Sequence, residues 1–399
     1  MIIFLGTLFS REDEKRLLKT SKRGLQGAAN NYQWGLLQGL SQVCGQPILT
    51  INSIPMGTFP RHSSVLFQRA SVEKTPEAEI HSHSYINLPL IKQRQRERYA
   101  YRSLKKLISS STEPVTVIVY SLYNPYLKSL NRLKKRGFDF RYILVVTDLP
   151  GEYGVESENR VIRMLQRKIG KQDLVLSQAA DGYVLLTEQM TVPLSVGNKP
   201  YTVIEGVYNY REPDKGKIEK QVPPVILYTG ALDAALGLDT LIEAFHKLPA
   251  GRAQLHIAGG GPFVGELEQI CRENPNIHYM GYLSKQEIDV RQRSATILVN
   301  PRSGDKEFTK YSFPSKTIEY MATGTPVVMN RLPGVPAEYE QYVFFTERDD
   351  AVGLAQMLEK VLAMDAECRE AFGAKAQAFI ENEKNGRKQT EKIMRFLLD

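Results

Sequence analysis

Short apolar and β-branched runs alternate with longer stretches of helical periodicity along most of the chain. Residues 1 to 5 predict a strand ending in Gly6, followed by a polar, charged loop that holds Gly24 and Gly27. Ala28 to Val43 predicts a helix with Trp34, Leu37 and Leu40 near one side, and Pro47 to Ile51 a second strand. Arg61 to Ser84 carries no regular pattern. Ile91 to Ile108 is a basic helix with apolar residues on one side; Val115 to Tyr120 and Tyr142 to Val146 have the composition of central strands. Asn159 to Gln172 predicts an amphipathic basic helix on Val161, Ile162, Leu165 and Ile169. DGYVLLTEQM then reads as strand and helix, and PYTVIEGV as a short last strand.

The second half repeats the scheme. Val225 to Thr229 is a strand leading into the loop GALDAALG, and Leu238, Leu241, Ile242, Phe245 and Leu248 mark an amphipathic helix. Gln254 to Ala258 delivers Gly259-Gly260-Gly261-Pro262 into another helix, and Asn276 to Met280, Ala295 to Val299 and Val327 to Met329 are further strands. Helices at Asp349 to Met364 and Arg387 to Leu397 close the pattern. REPDKGKIEKQVPP, at 211–224, has no periodic apolar positions and reads as a linker. The expected architecture is α/β, with two βαβ domains meeting across a cleft: 1–210 before the linker and 225–375 after it. A C-terminal helix in 376–399 is expected to pack back toward the first domain.

Composition adds a few limits. At 399 residues there is length for two cores, and 42% hydrophobic residues excludes general disorder. No run of about 18 apolar residues is present. MIIFLG has no basic lead-in and runs into the acidic REDE, so it reads as a strand and not as a signal peptide. The three cysteines, Cys44, Cys271 and Cys368, lack metal or redox spacing and read as reduced cytosolic thiols. The net charge of +8 is unevenly spread: residues 1–210 hold 28 Lys and Arg against 17 Asp and Glu, whereas the rest of the chain is slightly acidic. The first half therefore faces something anionic: membrane, nucleic acid or a phosphorylated substrate. No nucleic-acid motif accompanies it.

Candidate chemistry gathers in EFTKYSFPSKTIEYMATGTPVV, residues 307–328. Phe313 before Pro314 enters extended, and Pro314 sits beside a helix start where its missing N–H costs nothing. Ser315 can cap the first turn, Lys316 lies within it, and Glu319 follows Ser315 by four residues on the same face. A helix N-terminus with a lysine attracts phosphate, and a carboxylate one turn on can accept sugar hydroxyls. In the first half, Gly6, Gln26, Gly27 and Asn30 lie at the carboxyl end of the first strand, where open parallel sheets bind ligands; the glycines can equally serve the turn alone. Asp148 follows a buried strand and can orient or deprotonate a hydroxyl, or cap a turn. His81 and His83 have no further ligand nearby and read as solvated loop histidines. The helix from Ile91 presents either a solvated face or a surface for anionic headgroups.

Through TGALDAALGLDTLIEAF, IAGGGP, MGYLSKQEI and above all YSFPSKTIEYMATGTPVV, with weaker echoes in VTDLPGEY, DGYVLLTEQM and VIEGV, nearly the whole chain resembles retaining glycosyltransferases of the GT-B fold. The resemblance is to family four, of the bacterial capsular and exopolysaccharide type. It implies two Rossmann-like domains, the first binding acceptor and the second a nucleotide-sugar, with no cofactor or metal required. Glu319 then looks like the carboxylate on the ribose, and Ser315 and Lys316 like the turn meeting the diphosphate, with Phe313 and Pro314 shaping it. Gly230 permits close approach to the donor, Gly259 and Gly261 shape its sugar or phosphate side, and Tyr282 and Leu283 bracket the base. Ala231 and Leu236 stand where many relatives carry arginine and lysine, so Arg302 and Lys316 are the expected substitutes. Tyr311 stands where relatives often have a glutamate, and Glu307 is expected to take over contacts with the donor sugar. The implied catalytic residues are Asp148, Glu307 and Lys316. The implied reaction moves a sugar from a UDP-sugar to a polyprenyl-diphosphate-linked glycan at the inner membrane surface. The competing implication is a weak or inactive relative that binds nucleotide or activates a partner.

Overall fold

A computed structural model describes residues 1–22, 25–150, 160–209 and 218–398. Gly24, the residues directly after Pro150, Asn159 and the 211–217 part of the expected linker lie outside the described residues. The chain divides into two compact units, Met1–Asn209 with Asn385–Asp399, and Tyr210–Lys384. The returning segment thus begins at Asn385, later than the 376 expected from the sequence.

In the first unit the strands are β1 (Ile2–Gly6), β2 (Ile48–Asn52), β3 (Phe67–Gln68), β4 (Ser71–Lys74), β5 (Ala78–Ser82) and β6 (Tyr85–Ile86). They are followed by β7 (Thr116–Tyr120), β8 (Arg141–Val146), β9 (Gly182–Leu185) and β10 (Tyr201–Val203). Its helices are α1 (Arg11–Thr20), α2 (Gly27–Cys44), α3 (Ile91–Ser110), α4 (Asn124–Lys135) and α5 (Arg160–Ser177). Eight strands form one sheet in the order β10-β9-β8-β7-β1-β2-β5-β4, parallel except for β4. The central strands are buried on both faces, which their continuous apolar runs require.

The second unit has β11 (Val225–Ala231), β12 (Gln254–Gly260), β13 (Ile277–Tyr279), β14 (Ile297–Asn300), β15 (Val327–Met329) and β16 (Phe344–Phe345). Its helices are α6 (Leu238–His246), α7 (Val264–Glu273), α8 (Lys285–Ser294), α9 (Ser315–Met321), α10 (Ala351–Ala363) and α11 (Ala366–Glu383). The sheet is parallel throughout, in the order β13-β12-β11-β14-β15-β16. Chain direction across this sheet reverses between β11 and β14. A crevice outside the carboxyl ends of those two strands is where such sheets take ligands.

The last helix, α12 (Gly386–Leu398), returns to the first unit beside α2. Small residues let the two backbones touch: a Cβ at Gly39 would lie 2.0 Å from the Gly386 carbonyl oxygen, and one at Gly386 would lie 2.5 Å from that of Gly35.

Several expectations are corrected. The polar stretch after Gly6 holds α1, whose Ser10 side chain accepts the Asp13 N–H in a cap. The irregular stretch 61–84 contains β3, β4 and β5, and the helix expected after DGYVLL is a short 3₁₀ turn, Glu188–Thr191. His83 is no solvated histidine. It is 5% exposed, stacked at 4.5 Å on Tyr99, with a pKa drawn down to about 4 by burial and by Arg96. His81 lies in β5 and pairs with Glu79 at 2.8 Å. Two cations of the basic helix α3 point inward: Lys92 donates to the Met56 carbonyl at 3.0 Å, and Arg96 to the Ile54 carbonyl and the Tyr85 and Tyr123 hydroxyls. The remaining exposed cations of α3 are Arg94, Arg98, Arg102, Lys105 and Lys106.

Candidate functional site

At the β11/β14 reversal lies a cavity of about 240 Å³ lined by Tyr228, Ala231, Leu236, Val299, Asn300, Arg302, Phe313, Pro314, Ser315, Lys316 and Tyr320. That volume is below the roughly 300–1,000 Å³ of a site that encloses a whole small molecule. Two cations face it, and its other walls are mainly apolar or aromatic.

Lys316 owes its place to a glycine. Its Nζ occupies the space a side chain at residue 230 would need: a Cβ there would sit 1.2 Å from Nζ. Gly230 also has φ +145°, a conformation other residues rarely adopt. The ammonium lies 4.9 Å from the centroid of the Tyr228 ring. Desolvation pulls its pKa down to about 8 despite the opposing field of Glu319. Arg302 is fixed by a 3.1 Å bond to the Ser312 hydroxyl and by the Phe308 ring, 4.6 Å below its guanidinium. Its buried Nε has no partner, and burial lowers its pKa. Asn330 holds the preceding turn by donating to the Pro301 and Arg302 carbonyls at 3.1 and 3.3 Å. Two cations set into an apolar wall favour a ligand that brings negative charge.

α9 starts as its sequence requires: Pro314 is the residue before the helix, and Thr317, Ile318, Tyr320 and Met321 bury one face. No side chain caps the first turn, so Ser315 does not perform the capping expected of it; it is exposed. Ser315 and Lys316 of this first turn line the cavity, and the Thr317 N–H donates to the Pro314 carbonyl at 2.8 Å.

Tyr320, a residue that sequence reasoning missed, clamps α9 to β11. Its hydroxyl accepts the Thr229 N–H at 2.9 Å and donates to the Thr229 carbonyl at 3.1 Å. Gln292 donates to the Thr229 hydroxyl at 3.0 Å. The signal was only an aromatic on the apolar face of a short helix. Tyr320→Phe is expected to lower stability by about 1–3 kcal/mol, since it strands a buried N–H and carbonyl. Thermal unfolding checks this; an unchanged Tm would show that the clamp carries no load. α11 supports the other end of α9, where Gly373 packs so closely that a Cβ would be 1.9 Å from the Gly324 carbonyl oxygen.

Other expected residues stand apart from this cavity. Glu307 and Tyr311 begin and end a 3₁₀ turn, Glu307–Tyr311, with Glu307 exposed. Glu319 is exposed on α9, and Tyr282 is 89% exposed with Leu283 beside it. Gly259 and Gly261 allow close backbone approach within and just beyond β12: Cβ atoms there would lie 1.8 Å from the Gly230 carbonyl oxygen and 2.1 Å from that of Leu232. Lys306, not anticipated, donates to the Ala235 carbonyl at 3.1 Å and so ties the 302–312 segment to the loop that lacks cations.

In the first unit, Gly6 ends β1, and its carbonyl accepts the Tyr126 hydroxyl at 2.7 Å. Asn30 is not an open ligand group: its amide exchanges two bonds with the Phe9 backbone, at 2.9 and 3.1 Å. Gln26 and Gly27 are exposed at the start of α2. Asp148 follows β8, with the Thr147 hydroxyl 3.4 Å from its carboxylate.

Residues 223–364 match the family described as Glycosyl transferases group 1. The chain is similar in structure to sucrose-phosphate synthase of Thermosynechococcus elongatus, at 18% identity and a TM-score of 0.65, covering 100% of this chain and 99% of that one. A likeness of TM-score 0.63 and 13% identity joins it to Anabaena HepE, solved in complex with UDP, over 100% of this chain and 99% of that. The UDP-forming α,α-trehalose-phosphate synthase of Burkholderia xenovorans, in complex with glucose-6-phosphate, gives 0.64 and 12% over 99% of both. No curated protein matches by sequence. The fold is that of GT-B glycosyltransferases.

Proposed function

We propose that this chain is a retaining glycosyltransferase that moves a sugar from a nucleotide diphosphate sugar, UDP-linked, to a glycan on a polyprenyl diphosphate carrier in surface-polysaccharide biosynthesis. The observation that carries the reading is the pair Lys316 and Arg302 on one cavity at the sheet reversal, inside the segment that matches group 1 glycosyl transferases. UDP in the structurally similar HepE and the UDP-forming reaction named for the trehalose-phosphate synthase support the choice of donor.

In this reading the sugar's anomeric C–O bond to phosphate breaks and the negative charge passes to the diphosphate. Lys316, Arg302 and the uncapped turn of α9 stabilise that charge, an effect worth most where water is excluded. The acceptor hydroxyl bonds to the same face of the anomeric carbon, and its proton goes to the departing phosphate oxygen. Asp148 is assigned the orienting of that hydroxyl, Glu307 contacts with the donor sugar, and Glu319 the ribose. The acceptor's lipid places the reaction at the inner face of the cell membrane.

Glu319→Ala is expected to weaken UDP binding about tenfold, the worth of one charge-assisted hydrogen bond. Calorimetry measures it, and unchanged affinity removes the ribose assignment. A second reading, a nucleotide-binding or partner-activating module, is favoured by Ala231 and Leu236, which give the cavity apolar walls where the family resemblance implies cations. Sugar transfer by the purified chain, screened over nucleotide-sugars and lipid-linked acceptors, decides between them.

A further inference from the structure

Residues 164–169 of α5 are exposed in a way those of ordinary surface helices are not. The second half of the helix is held by α4: Asn124 donates to the Asp173 carboxylate at 2.5 Å and Asn131 to the Leu176 carbonyl at 2.9 Å, while Asp173 and Ser177 are buried. Residues 164–169, by contrast, are exposed all round the helix. Met164 is 69% exposed, Leu165 52%, Ile169 46% and Val175, further along, 72%. Arg160, Lys168 and Lys171 are exposed among them, and the one acid of the helix, Asp173, is turned inward.

We propose that α5 docks this protein on an anionic lipid bilayer, with Met164, Leu165 and Ile169 entering the acyl boundary and Arg160, Lys168 and Lys171 meeting lipid phosphates. A bilayer surface offers both an apolar phase and negative charge in one plane, and this helix presents the complement of both. Nucleic acid would answer the cations but leave the large apolar side chains in water. A second copy of the chain would bring like charges together. α3, the more cationic helix, has exposed aliphatic side chains only at its start, Leu90 at 73% just before it and Ile91 at 41% on its first residue, and none among the exposed cations from Arg98 to Lys106. The proposal deepens the membrane-side reading above, but it stands on α5 and not on the sugar chemistry.

The test is sedimentation of the full chain with vesicles of phosphatidylcholine, alone or with about 30% phosphatidylglycerol, at low and high salt, without nucleotide. The wild-type chain is expected to partition at least about tenfold more strongly to the anionic vesicles. Leu165→Asp with Ile169→Asp should lose about tenfold or more at either salt. Lys168→Gln with Lys171→Gln should lose about tenfold at low salt and little at high salt. Arg98→Gln with Arg102→Gln, on α3, should bind as wild type. Thermal unfolding, measured on the same samples, confirms that each variant is folded, and UDP affinity reports separately on the donor site. Equal binding of the α5 variants and wild type, loss in the α3 variant alone, or wild-type indifference to phosphatidylglycerol would each overturn the proposal.

Discussion

Gly230→Ala is expected to lower UDP affinity about 10- to 100-fold and to destabilise the second unit by about 1–3 kcal/mol. The two losses have separate causes. A Cβ at residue 230 would lie 1.2 Å from Lys316 Nζ and 2.3 Å from its Cε, so the flexible amine swings away and leaves the cavity. The backbone at φ +145° is strained for any side chain, and that cost remains wherever Lys316 goes. Calorimetry with UDP and a thermal scan measure the two effects. Gly265→Ala is the control: a Cβ there meets nothing within 4 Å, and alanine inside α7 should raise stability slightly. If Gly230→Ala unfolds like wild type and binds UDP like wild type, the space attributed to Lys316 is not used.

Lys316→Met should separate binding from stability. Removing a desolvated amine while keeping its stem is expected to leave Tm unchanged or raised, yet to reduce UDP affinity about 10- to 100-fold. The pH dependence follows from the depressed pKa. With a value near 8, the amine is charged below that pH and increasingly neutral above it. A diphosphate binds the ammonium form and raises its pKa. Affinity is therefore flat below about pH 8, then declines by up to about tenfold per unit as pH rises, until the raised pKa of the complex is reached. Folding has the opposite sign. The unfolded lysine holds its proton to a higher pH, so this residue makes stability rise between about pH 8 and the ordinary lysine value. Calorimetry from about pH 7 to about pH 9, in buffers of different ionisation heat, should show proton uptake by the wild type and none by the variant. A slope that persists in Lys316→Met assigns the titration elsewhere.

Much of the fold was legible because buried parallel strands are short, continuous apolar runs, and Val225 to Thr229 or Val327 to Met329 admit little else. α11 was not legible. Its sequence, AECREAFGAKAQAFIENE, buries the small Gly373 and Ala376 beside Phe379 and Ile380, so half of its buried face has no large apolar residue to mark it. The same reasoning missed α1, where charged residues cover nearly every face and the fold buries Leu17. His83 was misread because periodicity carries no information about a ring stacking on Tyr99 from a helix fifteen or so residues away.

The site shows the same division. Local chemistry alone determined the extended entry through Phe313 and Pro314, the helix after it, and the presence of a lysine in its first turn. Those are constraints between residues a few positions apart, set by proline's ring and helical spacing. Only the tertiary structure decided which groups share the cavity. Placing β11 beside β14 brings Tyr228 and Gly230 under Lys316, and swings Arg302 onto the same wall while leaving Glu307 outside. Side chains some ninety residues apart meet only through strand order, and no local pattern encodes that order.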